Sequence, residues 1–504
     1  MNFINFCNKT LIKIFKSKNL EGDLLNLETN KTKTSIANLK ISEIKKAILE
    51  KIKPKKNETE EMKNFLSELL RVAKIIAADT EPLIVGSMGR GTWLSGDNDI
   101  DLFLLFPKNV SREELEEKGL EYGKKITEEL LGKYTIKYAE HPYVRAEINK
   151  KNVDIVPCYK IRKGEKIISA VDRSPLHLKY VLSKLDSSLR DDVRILKQFF
   201  KGIGVYGSDL KNLGISGYAC ELLVIKYGKF ENVIEAISKM KPGTVIDIER
   251  YWKNIKKVKE KFRNEALILI DPVDKNRNTT ASLSSENFIK IVSKTKEFLE
   301  NPSLEFFFRK KRKLTSEELR KIKSRGTKFL AILFEKPNII NDILYPQIRK
   351  TSERLSKLLE FNDFRLIRKC EFVNDENNKV YLIFELEFWT APKIEKKIGP
   401  SIFVIKNSND FLSKYKDAEF GPYIENNCWV IEKERKFDNA SSLLKNFLSK
   451  DENELIQEGI PSYIAKSIQK EFRIIEQKEF WKTVKNDKEL SSFLKEKYFE
   501  KIKI

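Results

Sequence analysis

Residues 83–106 read LIVGSMGRGTWLSGDNDIDLFLLF. Asp99 and Asp101 stand one residue apart at the head of an apolar run, and the pair Gly86-Ser87 lies a dozen residues upstream. A strand alternates its side chains, so the two carboxylates share a face. There they repel, and without a counterion one pKa must rise. Gly96 places Asp97 in the turn before the strand, while Ile100, Leu102 and Leu104 face the core. A divalent cation relieves the repulsion: oxygen ligands at this separation suit Mg²⁺, which keeps several waters and takes further ligands from phosphates.

KNVDIVPCY supplies a third carboxylate, Asp154, flanked by Val153, Ile155 and Val156 in another strand of the same predicted domain. Two ions about 3.5–4 Å apart can activate an attacking hydroxyl and stabilise a leaving pyrophosphate. Gly86 follows the apolar strand LIV, where a glycine lets the backbone approach a phosphate closely. Ser87 adds a hydroxyl, and Arg90 a guanidinium suited to β- and γ-phosphates. The G-K-[ST] ending is absent, so this is no Walker A loop. The specific signal is the order strand, Gly-Ser, Arg three on, eight further residues, D-x-D, strand, distant Asp.

Around this stretch the periodicity predicts a small mixed sheet with helices on one face. Met62, Phe65, Leu66, Leu69, Val72, Ile75 and Ile76 recur at helical spacing before it. SREELEEKGLEYGKKITEELLGK opens on a capping box, Ser111 to Glu114. YTIKYAE, YVRAEIN and VDIVPCY read as three strands joined at Pro and Asn-Lys-Lys-Asn turns. After RSPLH the pattern becomes mainly helical, broken by the strand EALILIDP and followed by a helix from Ser284 to about Glu300. In the last third FLAILFE, the helix NDILYPQIRKTSERLSKLLEFN, FRLIRKCEFV and KVYLIFELEFW give half of a ferredoxin-like sheet. The fold class is α+β and multidomain, as the 504-residue length implies.

Lys and Arg exceed Asp and Glu by 22. Such a balance suits a polyanionic partner, or reflects a Lys-rich, soluble surface. Five scattered cysteines without C-x-x-C spacing argue against a disulfide scaffold or structural zinc. Two histidines make a His-based metal centre untenable: His141 sits beside Pro142 in a turn, and His177, in RSPLH, reads by itself as structural. No apolar run reaches the roughly 18 residues a membrane helix needs. The N-terminus has no signal-peptide h-region, so the expectation is a cytoplasmic protein without a membrane partner.

The segment GSMGRGTWLSGDNDIDLF resembles the nucleotidyltransferases of the DNA polymerase β superfamily. With YAEHPYVRAE, RSPLHLKYV, LRDDVRILKQFFKGIGVYGSDLKNLGISGYACELLVIKYG, DPVDKNRNTTASLS, LYPQIRKT and GPYIENNCWVI, the chain resembles more narrowly the archaeal-type (class I) CCA-adding enzymes over residues 42 to 450 and beyond. The resemblance implies a DNA polymerase β-like head with a mixed sheet, a helical central domain, and an α/β body and tail. The expected borders are an N-terminal extension at 1–40, a catalytic head at 41–172, a neck at 173–300, and a tRNA-binding body and tail at 301–504. It implies metal-binding carboxylates at Asp99, Asp101 and Asp154, with Mg²⁺ as cofactor. Nucleotide contacts are implied at Gly86, Ser87, Arg90, His177, Lys197 and Tyr206. His177 thereby moves from a structural reading to a phosphate or ribose contact, and Arg277 becomes a reader of base edges and RNA phosphate. The implied reaction adds C, C and A to tRNA 3′ ends from CTP and ATP without a template, the tRNA being recognised by its acceptor and T-arm. FFFRKKRK at 306–313 and the QIRKT helix would supply backbone contacts.

The first 40 residues precede the resemblance, and a homodimer is left open. Two rivals also stay open: a poly(A) polymerase-like RNA nucleotidyltransferase, which shares the D-x-D site, and a non-enzymatic RNA-binding protein. Three clustered carboxylates argue against the latter, since a binder gains nothing from acids beside RNA.

Overall fold

A computed structural model describes residues 40–138, 140–308 and 311–500. The extension expected at 1–40 lies outside them except for its last residue, as do Arg309 and Lys310 of the basic run. The chain divides into two compact units between Lys310 and Lys311.

The first unit is built on a five-stranded sheet of β1 (Glu81–Ile84), β2 (Asp99–Phe106), β3 (Lys133–Tyr138), β4 (Pro142–Ile148) and β5 (Lys151–Tyr159). Its order is β1-β2-β5-β4-β3, with β2 and β5 parallel and the other neighbours antiparallel. Ile100, Leu102 and Leu104 of β2 are buried, so its alternate residues carry the acids, as the period-two pattern requires. The β4–β5 hairpin turns on Asn149 and Lys150, both at positive φ (49° and 62°), the backbone a tight primed turn demands.

The sheet is covered by α1 (Lys56–Ile76), α2 (Gly86–Arg90) and α3 (Arg112–Glu129). Met62, Leu69, Val72 and Ala73 bury the inner face of α1, but Ile75 is 65% exposed. The apolar stripe is therefore narrower than its spacing predicted. Ser111 Oγ accepts a hydrogen bond from the Glu114 amide at 3.1 Å. The Glu114 carboxylate pairs with Lys118 at 2.9 Å, an i,i+4 ion pair that takes it down the helix. His141 lies in the bend before β4, as expected, and there it is buried, 2% exposed, and meets Glu116 at 3.0 Å.

The helical part of this unit comprises α4 (Arg173–Lys184), α5 (Ser187–Gly202), α6 (Gly217–Tyr227), α7 (Phe230–Ser238) and α8 (Ser285–Glu300). Phe199, Phe230, Phe298 and Phe307 form its aromatic centre, with Phe199 and Phe298 ring centroids 5.5 Å apart, a separation at which edge-to-face pairs add stability beyond burial. Ile41, Ile44, Ile48 and Ile52, one face of a helix over residues 40–52, join the same core. A small sheet of β6 (Thr244–Ile246), β7 (Leu267–Asp271) and β8 (Asp274–Asn278) runs beside it.

In the second unit β9 (Lys328–Glu335) leads through α9 (Asn341–Phe361) to β10 (Leu366–Asn374) and β11 (Lys379–Leu386). A second sheet follows, of β12 (Ile394–Ser401), β13 (Phe420–Glu425) and β14 (Cys428–Glu434) in the order β12-β14-β13. After further helices, β15 (Phe472–Glu476) returns to the first sheet. The antiparallel order β10-β11-β9-β15 is a whole ferredoxin-like sheet. The half legible in the sequence is thus completed by a strand from beyond the insertion. No described helix is long and apolar enough to cross a membrane.

Candidate active site

Asp101 and Asp154 are register partners across the parallel pair β2–β5, and Asp99 stands opposite Asn152. Asn152 Nδ2 donates to Asp99 Oδ1 at 3.0 Å. On the far side of β5, Arg145 of β4 is the cross-strand partner of Asp154. It donates to both carboxylate oxygens, from Nε at 2.6 Å and Nη2 at 2.7 Å. Asp101 has no such partner among the described residues. Burial pushes its pKa up, and so do the charges of Asp154 and Asp99, against a weaker opposing pull from Arg90 and Arg145. The repulsion expected from the D-x-D pattern therefore falls on Asp101.

Gly86 explains how the preceding turn fits over this carboxylate. Its φ is +62°, and a Cβ there would stand 1.8 Å from Asp101 Oδ2. Only glycine permits both the conformation and the approach. The donor set fits Mg²⁺ in chemistry, being hard carboxylate oxygen, at a place where Asp101 lacks a balancing cation. Among the described residues no three such side chains are gathered closely enough to hold an ion as they stand, and Arg145 engages both oxygens of Asp154.

The next group centres on Glu221 of α6, whose side chain is fully buried. Arg90 Nε lies 2.7 Å from Glu221 Oε2 and Lys197 Nζ lies 3.8 Å from Oε1. The Arg90 contact is one of charge rather than a directed hydrogen bond, since neither atom has a partner in good geometry. Thr92 Oγ1 donates to Glu221 Oε1, and Lys197 Nζ donates to Thr92 O at 3.0 Å and Oγ1 at 3.1 Å. Burial raises the pKa of Glu221, but the charges of Arg90 and Lys197 with the Thr92 hydroxyl outweigh it and hold the group below its usual range. Burial lowers that of Lys197 despite Glu221. Ser87 is half-buried, and its hydroxyl bonds no described residue. Tyr206 is half-buried, and the absence of a side chain at Gly217 makes room for its hydroxyl and for Lys197: a Cβ there would meet them at 2.9 and 3.3 Å.

A second buried carboxylate, Asp271 at the end of β7, gathers the remaining residues. His177 Nε2 and Arg277 Nη1 each lie 2.8 Å from its Oδ2, and Tyr218 donates to Oδ1 at 3.2 Å. Tyr218 also stacks on His177 at 3.9 Å between ring centroids, with Arg90 Cζ 5.8 Å from its own ring. It thus links the two charge clusters. Burial drives the His177 pKa down, outweighing Asp271, with Arg277 and Arg90 pushing the same way.

The expected catalytic and nucleotide-contacting residues lie in this unit, most of them in three groupings: the acids under Gly86, Arg90 and Lys197 on Glu221 with Tyr206 beside Lys197, and His177 and Arg277 on Asp271, while Ser87 stands apart. Sequence reading missed the two carboxylates that organise the last two groups, along with Tyr218, Thr92 and Arg145. Glu221 had a signal, as the lone acid in the apolar run GYACELLVIKY, and Asp271 closes LILID just before a proline.

Three family models match consecutive parts of the chain: a nucleotidyltransferase domain over residues 59–177, a tRNA nucleotidyltransferase second domain over 191–308, and a CCA-adding enzyme C-terminal domain over 325–477. The CCA-adding enzyme of Methanocaldococcus jannaschii is 39% identical over 435 residues, covering 84% of this chain and 94% of its own. That of Methanosarcina mazei is 37% identical over 458 residues, covering 89% and 96%. That of Archaeoglobus fulgidus is 37% identical, covering 82% and 90%. The matches run through all three parts that carry the groupings above and the second unit, and on that basis the chain belongs to the archaeal-type (class I) CCA-adding enzyme family and is a nucleotidyltransferase.

Proposed function

We propose that this enzyme adds C, C and A to the 3′ end of tRNA, using CTP and ATP and releasing pyrophosphate at each step. The observation that carries the reading is the side-by-side placement of Asp101 and Asp154, with Asp99 one pleat away, in a chain similar along most of its length to CCA-adding enzymes. Asp99, Asp101 and Asp154 are the residues to hold Mg²⁺, which when bound supplies Lewis-acid stabilisation of the triphosphate and lowers the pKa of the attacking 3′-hydroxyl. Gly86 lets the turn approach the triphosphate, and the uncommitted Ser87 hydroxyl donates to a phosphate oxygen. Arg90 and Lys197 together exceed Glu221 in charge, so that corner is net positive toward the same group. Tyr206, whose hydroxyl lies near Lys197 over Gly217, contacts phosphate or the bound nucleotide.

Arg277 is, on this reading, the residue that selects the base. Its Nε and Nη2 bond no described residue. Turned to a base edge, these N–H groups donate to cytosine N3 or adenine N1, both acceptors, and clash with the N–H of uracil N3 or guanine N1. His177 contacts phosphate or ribose. The tRNA is held by its acceptor and T-arm, with the basic excess of the chain answering the phosphate backbone.

The test gives the protein Mg²⁺ and a tRNA transcript ending at its discriminator base, with CTP, ATP, or both, and sizes products at single-nucleotide resolution. Two additions with CTP and a third only once ATP joins are expected. A long ladder with ATP alone would identify a poly(A) polymerase, and no extension in any lane would leave an RNA-binding protein.

A further inference from the structure

Asp271 is fully buried, and three side chains from three elements converge on it: His177 of α4, Tyr218 of α6 and Arg277 of β8. The Val273 amide adds a fourth hydrogen bond to Oδ1, at 3.1 Å. One buried charge needs one counter-charge, and Arg277 alone would suffice. The remaining bonds set orientation. A carboxylate only accepts, so the Nε2 facing it carries the imidazole proton, which leaves neutral His177 with Nδ1 as an acceptor. Tyr218, stacked on His177 and tied to the other carboxylate oxygen, fixes the plane of that ring. Arg277 differs from its companions: its side chain is 39% exposed, and it is held at Nη1 only. One end of the guanidinium is anchored, and its other donors are unspent.

We infer that Asp271 is a positioning residue for nucleotide selection, acting through Arg277 and His177 without touching the nucleotide. The inference rests on the base-selecting reading of Arg277 given above. Holding Nη1 fixes the plane of the fork, and so the direction in which Nε and Nη2 face a base. A guanidinium released from Asp271 could turn to satisfy uracil O2 or O4 and would lose its preference for a ring-nitrogen acceptor.

The experiment measures kcat/KM for CTP and for UTP on a tRNA ending at its discriminator base. It compares wild type, Asp271→Asn, Arg277→Ala and the double variant, with thermal unfolding of each. Asp271→Asn keeps the shape but removes the charge that anchors Arg277, and it sets an amide donor either against His177 and Arg277 together or against Tyr218 and the Val273 amide. The CTP-over-UTP ratio is expected to fall about ten- to a hundredfold, the loss that a displacement near 1 Å brings in an active site. The double variant should match Arg277→Ala, because Asp271 has nothing left to orient. Asp271→Ser, which removes the carboxylate without adding an amide, should lose selectivity likewise and replaces Asp271→Asn if that variant fails to fold. Unchanged selectivity with only a lower Tm would make Asp271 structural, and additive losses would show that it does not work through Arg277. Either result overturns the inference while the proposed function stands. A wild type that adds no cytidylate overturns both.

Discussion

Arg145 holds Asp154 by both carboxylate oxygens, at 2.6 and 2.7 Å, while Asp101, its register partner on the next strand, has no cation of its own. The three acids are thus unequally compensated in the free protein. Arg145→Met should expose Asp154 to Asp101 and Asp99 at full charge. The expected result is a lower Tm in chelator and a larger rise in Tm on adding Mg²⁺ than wild type shows, read by differential scanning fluorimetry. An unchanged Mg²⁺ response would mean that Arg145 does not govern the charge of the site.

Asp99→Asn and Asp101→Asn should each lower nucleotidyl transfer by about a thousandfold or more, since on the proposed reading both remove a ligand for the ion on which such chemistry depends. Filter binding of tRNA should stay within about threefold, because neither acid answers a phosphate. The raised pKa of Asp101 marks a charge that the fold holds at a cost, so Asp101→Asn should also raise the metal-free Tm. Equal loss of binding and chemistry would make these residues structural.

Glu221→Ala leaves Arg90 and Lys197 buried together without their anion. Breaking a buried pair from one side costs about 3–5 kcal/mol, and chemical unfolding of the first unit should show a loss of this size. Glu221→Gln keeps an acceptor for Thr92 and should lose less. A change below about 1 kcal/mol would mean that water reaches the cations.

A clear pH dependence is expected in the second unit. Glu385 is 1% exposed and accepts from Arg325 at 2.6 Å, Thr327 at 2.8 Å and Tyr498 at 2.6 Å. Burial raises its pKa, but these donors together outweigh burial and hold it below the ordinary 4.5. The folded state therefore binds its proton less readily than the unfolded chain. The stability this confers is present above the unfolded pKa and is lost as pH falls through the lower folded one. Near-UV circular dichroism during unfolding between pH 7 and pH 3 should show a steeper acid loss in wild type than in Glu385→Gln. Parallel curves would mean that Glu385 is not the responsible group.

Strand and helix identity was legible wherever one face alone is buried, as in β4 and α1, because period and burial then coincide. Gly86, Asp99, Asp101 and Asp154 were legible for the same reason: each is fixed by its own strand or turn. Glu221 and Asp271 were not, because their importance comes from partners far away in sequence. Arg90 is 131 positions from Glu221, and His177 is 94 from Asp271. No local pattern carries such a pairing. Ile75 misled in the opposite way, with helical spacing but no neighbour to cover it. The fourth strand of the second unit's ferredoxin-like sheet, β15, escaped notice because the insertion separates it from β11.

That separation governs the order in which the chain can fold during synthesis. β9 lies between β11 and β15, with Phe334 paired both to Val380 and to Phe472. Its first partner emerges soon after it, its second only after the whole insertion has been made. In the interval one margin of the apolar strand KFLAILFE lacks hydrogen-bond partners, and such a margin is a template for pairing with another chain. The insertion therefore lengthens the time during which the nascent protein is exposed to aggregation, and premature termination anywhere between β11 and β15 would make that exposure permanent.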